Sequence, residues 1–208
     1  MENKKGQFIT FEGIDGCGKS TQAALAAKHL ESKGIKFVQT REPGGTVIAE
    51  KIRALILDPE NSAMVDRCEL LLFLAARAQH VSEKIIPLLE DGTWVLCDRF
   101  ADATLAYQSG GRGMSLELLS PLLDFAASGL KPDRTFIFDI DMKTAAARMA
   151  ASRKGADRME RNSEKFFGDV RAEYLRIAKA EPERVSLIDG SATLDEIAAV
   201  IAKQLDAM

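Results

Sequence analysis

The chain has 208 residues, 28 Lys and Arg against 31 Asp and Glu, and a net charge of −3. That length suits one α/β domain with a substantial core, and an acidic balance without a basic arm or stripe excludes a general nucleic-acid binder. No apolar run is long enough to span a bilayer, Met1–Gly6 lacks the pattern of a secretory signal, and the scattered Cys17, Cys68 and Cys97 suit neither a disulfide framework nor a zinc site, which points to a reduced, cytoplasmic protein.

Gln7–Phe11 reads as a short buried strand, and Ser20–Lys33 as a helix with apolar Ala23, Ala24, Ala27 and Leu30. Between them, Gly13-Ile14-Asp15-Gly16-Cys17-Gly18-Lys19-Ser20 fits G-x-x-x-x-G-K-[ST], followed by Thr21. Triphosphate oxygens need several backbone N–H groups converging on them, and glycines let the chain curl without Cβ atoms in the way. Lys19 can set its charge against the β- and γ-phosphates, the Ser20 hydroxyl can ligate Mg²⁺, and the helix directs its positive end at the anion. Strand, loop and helix in that order predict a nucleoside triphosphate site. Cys17 reads either as a small residue filling a gap or as a thiol made reactive by the helix N-terminus.

Ile35–Thr40 is a second predicted strand, followed by Arg41-Glu42-Pro43-Gly44-Gly45-Thr46. Ligands of open parallel sheets bind beyond the carboxyl ends of strands, which places Glu42 and Pro43 to meet a substrate. A plain strand-to-helix turn uses Pro-Gly-Gly as well. Helices are predicted over Val47–Leu57 and Met64–Leu89, the latter weakened near Pro87. Trp94–Cys97 reads as a strand closed by Asp98-Arg99-Phe100, then a short helix through Tyr107 and a loose loop over Ser109–Gly113. Leu116–Ala127 is helical, Thr135–Phe138 a fourth strand, and Met142 to about Ala151 a helix entering the charged segment Ser152–Glu164. A helix over Lys165–Ala180, a strand over Val185–Ile188 and a helix over Thr193–Leu205 complete the chain. Strands alternate with helices without linker or repeat. The prediction is one domain over 1–208, a P-loop NTPase-type three-layer sandwich with a five-stranded parallel sheet flanked by helices.

A phosphate loop serves many activities, so the rest must come from other residues. Asp98, just past a buried strand, suits a Walker-B-type carboxylate near Mg²⁺, with helix capping as the alternative. Arg99 beside it suits a phosphate clamp, or else a surface ion pair. Phe73 and Arg77 share a helix face at i, i+4. They are either core and solvated charge, or a ring and guanidinium that grip a planar base. Arg148, Arg153, Lys154, Arg158 and Arg161, with Gly155 among them, read as solvated surface or as a lid over about 148–164 that closes on a transferring phosphoryl group.

Taken together, these stretches resemble the thymidylate kinase family over nearly the whole chain. The resemblance rests on Phe11–Thr21, Thr40–Thr46, Phe73 with Arg77, Asp98-Arg99-Phe100, Tyr107–Gly113 and Asp157-Arg158-Met159-Glu160. It implies transfer of the γ-phosphoryl of MgATP to dTMP, and a homodimer. It also implies that Phe73 stacks on thymine while Arg77 donates to a base carbonyl, that Thr104 and Gln108 line the base pocket, and that Tyr107 crowds the sugar 2′ position. Arg99 would hold the acceptor phosphate, Asp15 would approach the sugar 3′-OH or the metal shell, and Arg148 would stack against adenine beside Asp189-Gly190-Ser191. Some members carry a basic residue in the phosphate loop where this chain has Gly16. The resemblance then assigns the transition-state cation to the lid, Arg153 above all, with Arg158. Another nucleoside monophosphate or deoxynucleoside kinase is the nearest alternative. A GTPase-type switch would need an Asn-Lys-x-Asp motif, which the sequence lacks.

Overall fold

Five short strands form one parallel sheet in the order β2-β3-β1-β4-β5: β1 (Phe8–Glu12), β2 (Phe37–Arg41), β3 (Trp94–Asp98), β4 (Arg134–Asp139) and β5 (Val185–Asp189). The computed structural model describes residues 5–151 and 157–208. Every residue of β1 is buried, as expected of a central parallel strand covered on both faces. Its neighbours pair in register, Thr10 opposite Cys97 on one side and Thr135 on the other. The edge strand β2 is only partly buried. Because β1 lies between β3 and β4 in the sheet, its outgoing loop sits where the strand order reverses, the usual place for a ligand crevice.

Helices α1 (Lys19–Ser32) and α9 (Leu194–Leu205) pack together, with Leu30, Ile197 and Ile201 buried beside Ile9, Phe136 and Phe138 of the sheet. Thr193 starts α9 with a reciprocal capping box to Glu196. A second apolar cluster sets Val81, Ile85 and Leu89 against Phe8, Val95 and Phe100. Its helical rod runs unbroken from α3 (Asp66–His80) through a π-helical turn at Val81–Ile85 into α4 (Ile86–Glu90). Pro87 therefore does not end the helix. It sits at the start of α4, where a missing N–H is tolerated, just after the widened turn that the Ile86 N–H closes on the Val81 carbonyl. Helix α3 also packs on α2 (Val47–Leu57) and α6 (Leu116–Ala126).

One predicted loop is corrected. Helix α5 (Ala101–Thr104) continues as a π-helical stretch over Leu105–Gly111, so Ser109–Gly111 belong to a helix. Gly110 and Gly111 are there for close packing on α8 (Glu164–Ala180). A Cβ on Gly110 would lie 2.6 Å from the Asp169 carbonyl oxygen, and one on Gly111 2.4 Å from the Phe166 ring. Helix α7 (Met142–Ala151) follows β4.

Candidate active site

After β1 the chain curls through Gly13, Gly16 and Gly18 at φ +135°, +81° and +94°, values that side chains resist, and α1 starts at Lys19. Gly16 is constrained by space as well: a Cβ there would meet the Ala145 carbonyl oxygen at 2.5 Å. Ile14 and Cys17 turn into the core, and the Cys17 thiol fills the gap beside Gly13, in keeping with the gap-filling reading. Asp15, Lys19 and Ser20 line a cleft of about 430 Å³, whereas Thr21 is exposed and lies outside its lining.

Two cations converge on Asp15. Arg99 Nη2 lies 2.7 Å and Lys19 Nζ 3.2 Å from the same Oδ1. Burial works to raise the Asp15 pKa, but Arg99 and Lys19 outweigh it and hold the carboxyl well below the usual range. Arg99 follows β3 in a left-handed conformation, φ +69°, with its guanidinium 5.0 Å over the Tyr107 ring and Nη1 3.4 Å from the Tyr174 hydroxyl. Burial disfavours its charge, yet Asp15 and its other neighbours keep it firmly protonated. Ser20 Oγ donates to Asp98 Oδ2 at 2.5 Å, so a hydroxyl and a carboxylate oxygen stand together at the end of β3. Below them, Glu12 is fully buried, accepting the Phe100 N–H at 2.6 Å and lying 2.9 Å from the Tyr174 hydroxyl. Burial, with Asp102 adding to it, pushes the Glu12 pKa up to about 8.

The other end of the cleft is made of side chains. Arg77 is 2% exposed. Its Nε donates to Glu42 Oε2 at 2.8 Å, its Nη2 to Thr104 Oγ1 at 3.0 Å, and the guanidinium lies 4.9 Å over the Phe100 ring. The second Glu42 oxygen is 3.0 Å from His80 Nδ1, and His80 Nε2 is 2.7 Å from Thr40 Oγ1. Glu42 thus lines the cleft with both oxygens already engaged, and it orients Arg77. Phe73, Pro43, Thr104, Tyr107 and Gln108 also line this end. Among the described residues, three buried atoms on cleft-lining residues, Arg77 Nη1, Gln108 Oε1 and the Tyr107 hydroxyl, have no hydrogen-bond partner. A donor, an acceptor and a hydroxyl that can act as either are left over in the wall of one cleft.

The lid arginines fall differently. Arg153 lies outside the described residues. Arg158 does not line the cleft: its Nη2 is 2.7 Å from Glu69 Oε2, and its Nε donates to the Ile56 carbonyl at 2.7 Å. Arg148 places both terminal nitrogens 3.2 Å from the Gly190 carbonyl, which sets it on the turn after β5. Asp157, Met159 and Glu160 do reach the cleft.

Four contributors escaped the sequence reading. Arg53 lines the cleft and donates to the Pro43 carbonyl at 2.8 Å. Glu12 lies beneath it. Glu69 and His80 belong to α3, and with Phe73 and Arg77 they form a stripe spaced 4, 4 and 3 residues apart, one helix face. Extending the Phe73/Arg77 pair by one turn each way would have found them.

Residues 11–201 match the family model described as thymidylate kinase. The chain belongs to the thymidylate kinase family. A thymidylate kinase of Pelobacter propionicus is 48% identical over 205 residues, covering 96% of this chain and 94% of the relative. That of Geotalea daltonii is 50% identical over 197 residues, covering 92% of each. Among solved structures, thymidylate kinase from Ehrlichia chaffeensis matches with a TM-score of 0.77 at 35% identity, over 97% of this chain and 99% of that one. The fold is that of a P-loop nucleotide-binding protein, and the enzyme class is a kinase acting on thymidylate. Among the described residues no helix is long and apolar enough to cross a membrane.

Proposed function

We propose that this thymidylate kinase family member transfers the γ-phosphoryl of ATP to dTMP, giving dTDP and ADP, within one nucleoside monophosphate kinase domain over 1–208 whose lid is about 148–164. The observation that carries the choice of base is the leftover pair, Arg77 Nη1 and Gln108 Oε1, in the cleft wall. A donor and an acceptor in one cleft wall suit the O4 carbonyl and N3–H of thymine. Cytosine offers an amino group and a bare ring nitrogen there, which leaves both protein atoms unpaired, and an unpaired buried polar atom costs about 1–3 kcal/mol. Phe73 supplies a ring for stacking, and Tyr107 crowds the sugar.

At the opposite end, the loop amides and Lys19 would hold the ATP phosphates, with Arg148 and the Gly190 turn beside the adenine. The Ser20 hydroxyl and Asp98 carboxylate form a hard-oxygen pair that fits Mg²⁺, although among the described residues no group of three or more His, Cys, Asp and Glu is arranged for a metal. When bound, the ion would neutralise phosphate charge and hold the triphosphate in line. The acceptor is already a phosphate anion, so no general base is required. The residues align two anions and offset their repulsion. Arg99, fixed by Asp15, would hold the acceptor phosphate, and the lid, Arg153 above all, would supply the cation that meets the migrating group. Arg158, tied to Glu69, would support the lid segment from outside the cleft.

Two further expectations go with this reading. The exposed apolar side chains Val47 and Leu55 on α2, Leu71 on α3, and Leu118 and Phe125 on α6 lie on helices that pack through α3, which supports a homodimer; light scattering tests it. Three free thiols support a reduced cytoplasmic location. Coupled assays of ADP release with dTMP, dUMP, dCMP, AMP and GMP test the function. Turnover of dTMP well above the others is expected, and indifference to dTMP beside rapid use of another acceptor would overturn it.

A further inference from the structure

We infer that Glu69 is a specificity-positioning residue: by holding the amide of Gln108 in one orientation it sets which pyrimidine the cleft accepts. This rests on the dTMP reading above. Glu69 is 1% exposed and accepts Gln108 Nε2 at 2.8 Å through Oε1. The same carboxylate takes Arg112, with Nε 3.3 Å from Oε1 and Nη2 3.1 Å from Oε2, and Arg158, with Nη2 2.7 Å from Oε2. Arg112 is held in turn by Asn162 Oδ1 at 3.1 Å and by the Phe166 ring at 4.8 Å.

The chemistry of the three groups explains the arrangement. An amide is nearly symmetric in shape, and only its partners decide which end is carbonyl and which is amino. An ionised carboxylate accepts and never donates, so Glu69 can face only the amino end of Gln108. The carbonyl end, Oε1, is left unpartnered beside the base pocket, where an N–H suits it and a bare ring nitrogen does not. The two arginines keep the buried carboxylate ionised. Burial alone would raise its pKa, but Gln108, Arg112 and Arg158 lower it below the ordinary value. A neutral amide at position 69 could both accept and donate, and Gln108 would be free to turn its amino group towards the ring nitrogen of cytosine.

The test is the ratio of kcat/KM for dTMP to that for dCMP. Glu69→Gln should lower this ratio at least tenfold, mainly through KM for the two nucleotides, with KM for ATP unchanged. In a Gln108→Leu background the same substitution should change the ratio less than twofold, because the group it acts through is gone. A merely structural Glu69 would instead lower thermal stability and scale both acceptors equally. Should E69Q not fold, Glu69→Asp keeps the charge for both arginines while withdrawing it from Gln108 by one methylene, and a fall of at least threefold is expected. An unchanged ratio in the folded variant, or an equal fall with Gln108 absent, overturns the inference while leaving dTMP as the substrate. Wild-type protein that shows no preference for dTMP overturns the reading on which it rests as well.

Discussion

At the end of the cleft proposed to hold phosphate the groups are backbone amides in a glycine loop eight residues long, Gly13–Ser20, and their neighbours in sequence. At the end proposed for the base they are side chains held by other side chains 27 to 39 residues away, as Arg77 is by Glu42 and Thr104, and Gln108 by Glu69. The first kind of site needs only local geometry, and its lysine is held by one carboxylate four residues away, Asp15. The second uses buried ions whose partners are part of the core. Function and stability should therefore separate at one end and travel together at the other.

Removing the loop cation tests the first half. Lys19→Ala should lower kcat by about 10²–10³, the range for one preorganised charge on a transition state. Its melting temperature should barely move, because the lost bond is to partly exposed Asp15; a large drop in melting temperature would show that the loop lysine is structural after all. Arg77→Met tests the second half. It strips Glu42 of its buried cation, so urea unfolding should show a loss of about 3 kcal/mol together with a raised KM for dTMP. Loss of binding without loss of stability would undo the contrast. Arg153→Ala should cut kcat at least a hundredfold in single-turnover experiments while dTMP binding by calorimetry stays the same. Near-normal turnover would return the transition-state charge to Lys19 and Arg99 alone.

Two smaller effects sharpen the picture of what lies behind the cleft. Gly111→Ala drives a Cβ into the Phe166 ring and should reduce stability by about 1–3 kcal/mol, measurable in a urea titration. Glu12, with its pKa near 8 against an ordinary 4.5, keeps a proton in the folded state that the unfolded chain has released. Folded protein thus binds more protons between about pH 4.5 and 8, and its stability falls as pH rises through that window. Against Glu12→Gln, the wild type should lose up to about 1.4 kcal/mol per pH unit there. Parallel profiles for the two proteins would show that Glu12 ionises normally.

The same division decides what could be read from the residues alone. The strand order of hydrophobic runs, the glycine loop and the sheet's helices are local patterns, and their boundaries fall within a few residues of those expected. Phe73 and Arg77 were visible as an i, i+4 pair, but nothing in their spacing says that Glu42 binds Arg77, because that contact spans 35 residues. Gly110 and Gly111 looked like loop because glycine is permissive. Their true cause, the close approach of α8, is a tertiary fact with no local trace. Arg158 belongs to a charge run in the sequence, and its partner Glu69 sits a long way back in the chain within an otherwise apolar stretch.

The seat of Gly16 against the Ala145 carbonyl has an evolutionary corollary. With a Cβ there falling only 2.5 Å from that oxygen and φ at +81°, no side chain can be grafted there unless α7 first moves aside. On the proposed lid reading, loss of the lid cation could not be repaired by installing arginine in the loop. Relocating that charge would demand at least two coordinated changes, one of them in α7, so chains with a loop cation and chains with a lid cation should be separated by a valley rather than joined by single steps.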